Sequence, residues 1–106
     1  MVKRGEIWLV KLDPTVGSEI RKARPCVVIS PPEMHDHLRT VMMAPMTTGG
    51  HPAPYRIDVH HAGKEGLILL DQLRSVDKTR LTKRVGVLTA TTLSTTLATL
   101  REAFEE

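Results

Sequence analysis

Short runs of apolar and β-branched residues, each closed by proline, glycine or other turn-forming residues, constrain this chain most strongly. Such runs are typical of β-strands, and none approaches the roughly 20 apolar residues of a membrane-spanning helix. They predict strands at 6–12, 25–30, 40–46, 55–59, 66–73 and 84–88, a helical turn within 33–38 and a long polar loop at 14–24. Because Pro45 interrupts the third run, we expect an edge or a bulge there.

The end of the chain has a different period. Leu93, Leu97, Leu100 and Phe104 recur at spacings of four, three and four, which predicts one apolar stripe on a helix of about four turns. Thr89, Thr91 or Thr92 is a candidate cap for its start. Several short strands followed by one packing helix predict a mainly β fold with a C-terminal α-helix, in a strongly bent sheet or half-open barrel. We expect residues 1–106 to form a single domain.

The charge and the cysteine content of the chain limit which partners and which cell compartment can be expected. Fifteen lysines and arginines against twelve acidic residues give a net charge of +3, which permits a polyanionic partner without requiring one. With only three aromatic residues, an RNA-binding protein of this composition must rely mainly on charge and hydrogen bonds. The lone Cys26 excludes an internal disulfide and is interpreted as a buried, inert thiol. Since the N-terminus has no signal-like apolar run, we expect a cytoplasmic protein with no membrane partner.

Several segments match, in order and spacing, the motifs of one known family. They are RGEIWLV at 4–10, DPT at 13–15, GSE at 17–19, RP at 24–25, VVISP at 27–31, APMTT at 44–48 and LDQLRSVD at 70–77. Each motif alone is weak, but together they extend over nearly the whole chain. On these residues the chain resembles the MazF/PemK family of toxin endoribonucleases from type II toxin–antitoxin systems.

The resemblance implies an SH3-like small barrel, a homodimer and a cognate antitoxin that holds the toxin in check. It also implies cleavage of single-stranded RNA without a metal ion or other cofactor. Arg24 and Thr47 occupy the family's catalytic positions, and Glu19 lies in the same site. Residues assigned to the RNA groove, from the resemblance or from their charge and position, are Arg21, Lys22, Thr48, Asp71, Gln72, Arg74 and Ser75.

The chemistry suits these residue types. In RNA, the 2′-hydroxyl can attack the adjacent phosphate, which leaves a 2′,3′-cyclic phosphate and a 5′-hydroxyl. The planar fork of Arg24 can donate to two phosphate oxygens of the crowded transition state, and Thr47 adds a short hydroxyl donor. Arginine holds its proton too firmly to be an obvious base. Glu19 could accept the 2′-hydroxyl proton or could position Arg24 by an ion pair, so the general base stays open.

Other interpretations compete for some residues. The basic run 74–84 is either a solvated face or a rim that follows phosphates. His35 and His37 with Cys26, or His60 and His61, could bind zinc, although the usual ligand spacings are missing. Two histidines could also act as acid and base, but all five histidines are expected in exposed loops or edges. His51, His60 and His61 have no role that the resemblance assigns.

Two other functions compete with the enzyme. A non-enzymatic toxin of the same barrel type, like CcdB, would bind DNA gyrase, and a plain SH3-like module would bind RNA or a peptide. Fold alone does not separate these functions. The pair formed by Arg24-Pro25 and Thr47-Thr48 favours the enzyme, since a gyrase-binding protein has no need of it.

Overall fold

A computed structural model of the protein describes residues 1–11 and 23–106. The described chain forms strands and two helices in a fixed order, with short 3₁₀ turns at Leu70–Gln72 and Lys78–Arg80. In chain order the elements are β1 (Glu6–Lys11), β2 (Ala23–Val28), α1 (Pro32–His35), β3 (Thr40–Thr48), β4 (Arg56–His61), β5 (Lys64–Leu69), β6 (Arg74–Asp77), β7 (Leu81–Val87) and α2 (Ala90–Ala103).

Strand β3 organises the sheet. Along one side it pairs with β2, and along the other its first half pairs with β6 and its second half with β5, all antiparallel. The β6 pairs end at Met43 and the β5 pairs begin at Met46, so Pro45 lies in the gap between these two partners. The Ile29 amide donates to the Met42 carbonyl at 2.8 Å, and by alternation the Pro45 nitrogen faces that gap. The absent N–H therefore interrupts no ladder, as expected of a local edge.

The sheet bends until its two outer strands approach each other. Its order is β4-β5-β3-β2-β1-β7, with β6 also on β3, so β4 and β7 are the ends. A methyl group built on Gly86 of β7 would lie 2.9 Å from the His61 ring of β4, which shows how closely the two ends approach. The fold is thus a mainly β, barrel-like sheet that is not closed by hydrogen bonds, followed by a C-terminal helix, as predicted.

Two apolar cores lie on the two faces of this sheet. The larger core, inside the bend, includes Ile7, Val27 and Ile68 and is covered by Leu93, Leu97 and Leu100 of α2. The smaller core lies on the other face of β1, β2, β3 and β6 and consists of Val10, Cys26, Val28, Val41, Met43 and Val76. Cys26 is 1% exposed, which confirms the prediction of a buried thiol. The Thr89 hydroxyl accepts from the Thr92 amide and caps α2.

Several predicted bounds were wrong. The run predicted as one strand at 66–73 ends as strand at Leu69, turns through Leu70–Gln72 and continues as β6. The last strand begins at Leu81, three residues before the predicted start at 84, because the polar segment that includes Lys83 still pairs with Leu9 of β1. Arg24, predicted to end a loop, lies within β2, and most of that loop is outside the described residues.

One histidine departs from the expectation that all five are exposed. His35 at the end of α1 is 1% exposed. Its Nδ1 and the Ser30 hydroxyl are 2.9 Å apart, its Nε2 and the Val2 carbonyl oxygen are 2.8 Å apart, and the Ser30 oxygen accepts from the Met42 amide. If Nε2 donates to the Val2 carbonyl and the Ser30 hydroxyl donates to Nδ1, all these groups have a hydrogen-bond partner. His35 is therefore a structural residue that ties the N-terminus and α1 to β3.

Candidate functional site

Arg24 and Thr47 lie on neighbouring strands at the same end of the sheet. Strands β2 and β3 are in register through the pair Cys26–Pro45. Continued by two residues, this register places Arg24 across from Thr47, at a position of the kind where cross-strand side chains come closest. On its other side Arg24 is the partner of Val10 in β1, and its side chain is exposed. The two residues that sequence separates by more than twenty positions are thus neighbours on one sheet face.

Arg74 lies on this same face. It is the partner of Met43 in β6–β3 pairing, and Met43 is the partner of Val28 in β2. Directly paired residues share a face, and residues alternate along a strand, so Arg74, Met43, Val28, Cys26 and Arg24 face the same side.

The charges of both arginines affect the pKa of the Cys26 thiol. Burial raises the pKa of this thiol to about 11, while the positive charges of Arg24 and Arg74 act to lower it. Both guanidinium groups are therefore close enough to act on one sulfur atom. We call the surface formed by Arg24, Thr47 and Arg74 around Cys26 the arginine face.

A tight turn fixes Thr47. Its hydroxyl donates to the Gly49 carbonyl at 3.1 Å, and the Gly49 amide donates to the Glu65 carbonyl at 3.1 Å. Gly49 and Gly50 have φ values of 70° and 100°, a region that side chains disfavour. The two glycines thereby let the chain reverse immediately beyond Thr47, with its hydroxyl at the partly open end of β3.

Gly66 allows β5 to lie against this end of β3. It is the partner of Thr48, and a methyl group built on it would lie 1.9 Å from the Thr47 carbonyl oxygen. A small cavity of about 30 Å³ adjoins this contact, with Thr47, Thr48, His61 and Lys64 among its lining residues. Thr48 is exposed and, by alternation, faces the side opposite to Thr47.

The structure pairs Asp71 with Arg56. Two hydrogen bonds of 3.1 Å join the Arg56 guanidinium to the two Asp71 carboxylate oxygens, and Arg56 also donates to the His51 carbonyl. The hydrogen bonds from Arg56 are the main cause that lowers the pKa of Asp71. Asp71 therefore fastens the Leu70–Gln72 turn to the start of β4, and the neighbouring Gln72 is exposed on that turn.

Ser75 faces away from the arginine face. It is the partner of Met42, one residue beyond the Arg74–Met43 pair, and alternation puts it on the α2 side of the sheet. Met42 lines an apolar groove of about 470 Å³ between α2 and the sheet. Its other lining residues are Arg4, Ile29, Ser30, Pro31, Met34, Leu73, Leu97, Leu100, Arg101 and Phe104, so two arginines adjoin an otherwise mainly apolar surface.

Three of the residues predicted for the site, Glu19, Arg21 and Lys22, lie outside the described residues. Within 1–11 and 23–106, no group of three or more His, Cys, Asp or Glu side chains is arranged to hold a metal ion. In that same part of the chain, no helix is long and apolar enough to cross a membrane. The His60 ring and the Glu65 carboxylate are joined by a hydrogen bond across the β4–β5 hairpin.

Sequence reasoning missed the residues that support the site. Arg56 is fifteen positions from Asp71, and no local spacing connects them. Among the glycines of the described residues, Gly66 is the one whose added methyl group would collide with the Thr47 backbone. By contrast, the sequence could have predicted that Glu6 and Trp8 lie next to each other, because residues two apart on a predicted strand share a face.

Known proteins with similar sequences and folds were found. A family model described as "PemK-like, MazF-like toxin of type II toxin-antitoxin system" matches residues 3–104. The "Endoribonuclease PemK" of Escherichia coli is 33% identical, covering 93% of this chain and 79% of its own length. The "Endoribonuclease MazF" of Staphylococcus epidermidis is also 33% identical, over 83% of this chain and 78% of its own. A solved "Endoribonuclease in complex with its cognate antitoxin from Mycobacterial species" has a similar fold, with a TM-score of 0.79 and 20% identity, covering 97% of this chain and 94% of that one.

Gly66→Ala should destabilise the protein and displace Thr47. Because the added methyl group would meet backbone and not a movable side chain, we expect the free energy of unfolding to fall by about 1–3 kcal/mol. Urea unfolding followed by circular dichroism measures this change. The matched control is Gly63→Asn: Gly63 has open space around an added methyl group and a φ of 76°, which asparagine tolerates. Equal stability of Gly66→Ala and wild type would contradict the close packing at this site.

Proposed function

Because the chain belongs to the PemK-like, MazF-like toxin family of type II toxin–antitoxin systems, we propose that it is an endoribonuclease that cleaves single-stranded RNA. The observation that carries the proposal is the register of β2 and β3, which, continued by two residues beyond Cys26–Pro45, brings Arg24 and Thr47 to one end of the arginine face. A phosphate placed there meets a guanidinium fork and a hydroxyl from two adjacent strands. We further propose that residues 1–106 act as one toxin domain.

Cleavage would proceed by attack of the 2′-oxygen on the adjacent phosphorus. The new P–O2′ bond forms as the P–O5′ bond breaks, which gives a 2′,3′-cyclic phosphate on one fragment and a 5′-hydroxyl on the other. A base takes the 2′-hydroxyl proton, and the departing 5′-oxygen gains a proton. Arg24 would donate to two non-bridging oxygens as their charge grows, and Thr47 would turn its hydroxyl from Gly49 to the phosphate.

Arg24 and Glu19 are the residues proposed for the acid and base roles. Arg24 can stabilise the phosphorane and can deliver a proton to the 5′-oxygen. Glu19 is proposed either as the base or as the residue that positions Arg24, and it lies outside the described residues.

The RNA would cross the arginine face. Arg74 lies on the same face as Arg24, level with Val28 of β2, so we propose that it contacts the RNA backbone away from the scissile phosphate. Arg21 and Lys22 are proposed to extend this basic path, and Thr48 and Gln72 to contact RNA at its margins. Asp71 has its carboxylate bound by Arg56, and Ser75 faces the α2 side, so we do not propose that these two residues contact RNA directly.

We also propose that the protein is located in the cytoplasm, where it would meet its RNA substrate, and that it has two protein partners. One partner is a cognate antitoxin with an acidic segment that would occupy the arginine face in place of RNA. The other is a second copy of this chain. The apolar groove beside α2 supports the second copy, since Phe104 and Met34 at its rim are 79% and 44% exposed.

Purified protein should cleave a long single-stranded RNA in the presence of excess EDTA. The products should carry 5′-hydroxyl ends, because the proposed attack comes from the substrate's own 2′-oxygen. Mapping of the ends, with and without phosphorylation by a kinase, measures this. Products with 5′-phosphates, or loss of cleavage on chelation, would contradict the mechanism, and a folded protein that cleaves no RNA would contradict the proposed activity.

Arg24→Ala should lower the cleavage rate by about 10²–10³ with little effect on folding, because its side chain is exposed and donates to the transition state. Arg24→Lys should also be strongly impaired, since lysine has no planar fork. Arg39→Ala, an exposed arginine on the turn before β3, is the control and should retain activity. A wild-type rate in Arg24→Lys would show that charge alone suffices.

The protein should be a dimer at micromolar concentration. If a second copy covers the apolar groove, Met34→Asp and Phe104→Asp should shift the mass measured by light scattering toward the monomer, because each places a charge in a desolvated contact. Ser94→Asp, at an exposed position of α2, should leave the dimer intact. A monomeric wild type would rule out the dimer, whereas a dimer that both groove variants preserve would place the interface elsewhere.

A further inference from the structure

A buried carboxylate joins two partly exposed side chains at the junction of β1 and β7. Glu6 Oε1 accepts from the Trp8 indole Nε1 at 3.1 Å and from the Lys3 amide at 2.8 Å, and Glu6 Oε2 accepts from Arg84 Nη1 at 3.1 Å. The Glu6 side chain is 5% exposed and that of Arg84 is 59% exposed. One anion thus fixes an indole ring and a guanidinium relative to each other.

Glu6 is held in its charged form. Burial acts to raise the pKa of this carboxyl, but the hydrogen bonds from the Lys3 amide, Trp8 and Arg84, together with the charge of Arg84, lower it below its ordinary value. The three donors compensate for the loss of water around the carboxylate. The arrangement of Trp8 and Arg84 is therefore anchored at neutral pH.

Trp8 and Arg84 are continuous with the arginine face. Trp8 is the partner of Cys26 in β2 and of Arg84 in β7, so all three side chains point to one side of the sheet. Arg24 lies two residues from Cys26 in β2, which makes it a diagonal neighbour of Trp8, at about 7–8 Å. The backbones of Trp8 and Arg24 are thus diagonal neighbours on one face of the sheet, and the indole N–H is directed toward Glu6.

We propose that Trp8 and Arg84 form a nucleobase-binding subsite beside Arg24, with Glu6 as the residue that positions both. The identification of the ligand as RNA rests on the proposed function. An indole face and a planar guanidinium bind a base by stacking and by cation–π attraction, which phosphate-binding lysines and arginines alone do not provide. The subsite would hold a base next to the scissile phosphate and so align the 2′-oxygen for attack.

Binding at the subsite can be followed by tryptophan fluorescence, because Trp8 is the single tryptophan of the chain. The cleavage position is first mapped on a long RNA. A 2′-O-methyl oligonucleotide of that sequence, which cannot be cleaved, is then titrated into the full-length wild-type protein, and Trp8 fluorescence is recorded. A second series of oligonucleotides lacks one base at a time around the cleavage position.

We expect the complete oligonucleotide to change Trp8 fluorescence on binding. Removal of one particular base should abolish that change and weaken binding by about 5- to 150-fold, the range for loss of one stacked base. In Trp8→Ala, removal of the same base should cost little, because the stacking partner is already gone. Trp8→Phe should retain part of the affinity and guards against a folding defect in the alanine variant.

Arg84 and Glu6 are tested with matched variants. Arg84→Ala should raise KM for RNA more than Lys83→Ala, which removes the same charge from the next residue of β7 but pairs with Leu9 and faces the other side. Glu6→Gln should raise KM with a smaller change in kcat and should alter the sensitivity of binding to the identified base. A purely structural Glu6 would lower thermal stability without changing that sensitivity.

The outcomes separate this inference from the proposed function. If labelled oligonucleotide binds and RNA is cleaved, but Trp8 fluorescence is unchanged and no single base removal interacts with Trp8→Ala, the subsite is wrong and the endoribonuclease stands. If the folded protein neither binds nor cleaves RNA, the proposed function fails, and the subsite fails with it.

Discussion

Strand β3 is the element on which the rest of the structure depends. Its two halves pair with different strands along one side, which joins the β2–β3–β6 part of the sheet to the β4–β5 hairpin. Such a change of partner needs a point where no ladder bond is required, and Pro45 occupies that point. The same strand then continues to Thr47, so the residue proposed for catalysis is carried by the one described strand that pairs with three others.

Close backbone packing makes this arrangement possible. The Thr47 carbonyl lies where any side chain on Gly66 would be, and the Gly49–Gly50 turn returns the chain over the Thr47 hydroxyl. The apolar contacts of Cys26, Val28 and Met43 hold β2 against β3 from one face. Arg24 and Thr47 thus need no direct bond to each other, since the strands that carry them are fixed by hydrogen bonds and by burial. A site on rigid strands keeps its donors in place before the substrate binds.

The sequence predicts the fold class well because the hydrophobic pattern depends on local periodicity. The C-terminal stripe becomes α2, and the β-branched run around Val27 becomes a central strand, since both patterns bury one continuous surface. Strand β6 escaped prediction because Arg74 and Ser75 are exposed and its only buried side chain is Val76. Such a strand is stabilised by its pairing with β3, that is, by tertiary structure and not by its own sequence pattern.

The candidate site was less accessible to sequence reasoning. Arg24 and Thr47 were identified from the resemblance to a family, because a lone arginine before a strand and a threonine at a turn are common surface features. Asp71 illustrates the limit: the sequence placed it near the RNA groove, yet its carboxylate forms a bidentate pair with Arg56. Such pairs depend on how β4 packs against the turn after β5, and no short-range sequence pattern predicts that packing.

Burial of Cys26 has a direct electrostatic consequence for the arginine face. Two neighbouring arginines favour a thiolate, which would place a negative charge beneath the proposed phosphate position. Burial is the stronger effect and raises the pKa of the thiol to about 11, so that sulfur is neutral at physiological pH. The positive charges of Arg24 and Arg74 are therefore not offset by a thiolate at Cys26. Glu6 shows the opposite balance, since three donors outweigh its burial and keep its carboxylate charged beneath Trp8 and Arg84. The same face thus combines a neutral buried sulfur under its phosphate-binding part with a charged buried carboxylate under its proposed base-binding part. For Glu6 the hydrogen bonds and the charge of Arg84 outweigh burial, whereas for Cys26 burial outweighs the charges of two arginines.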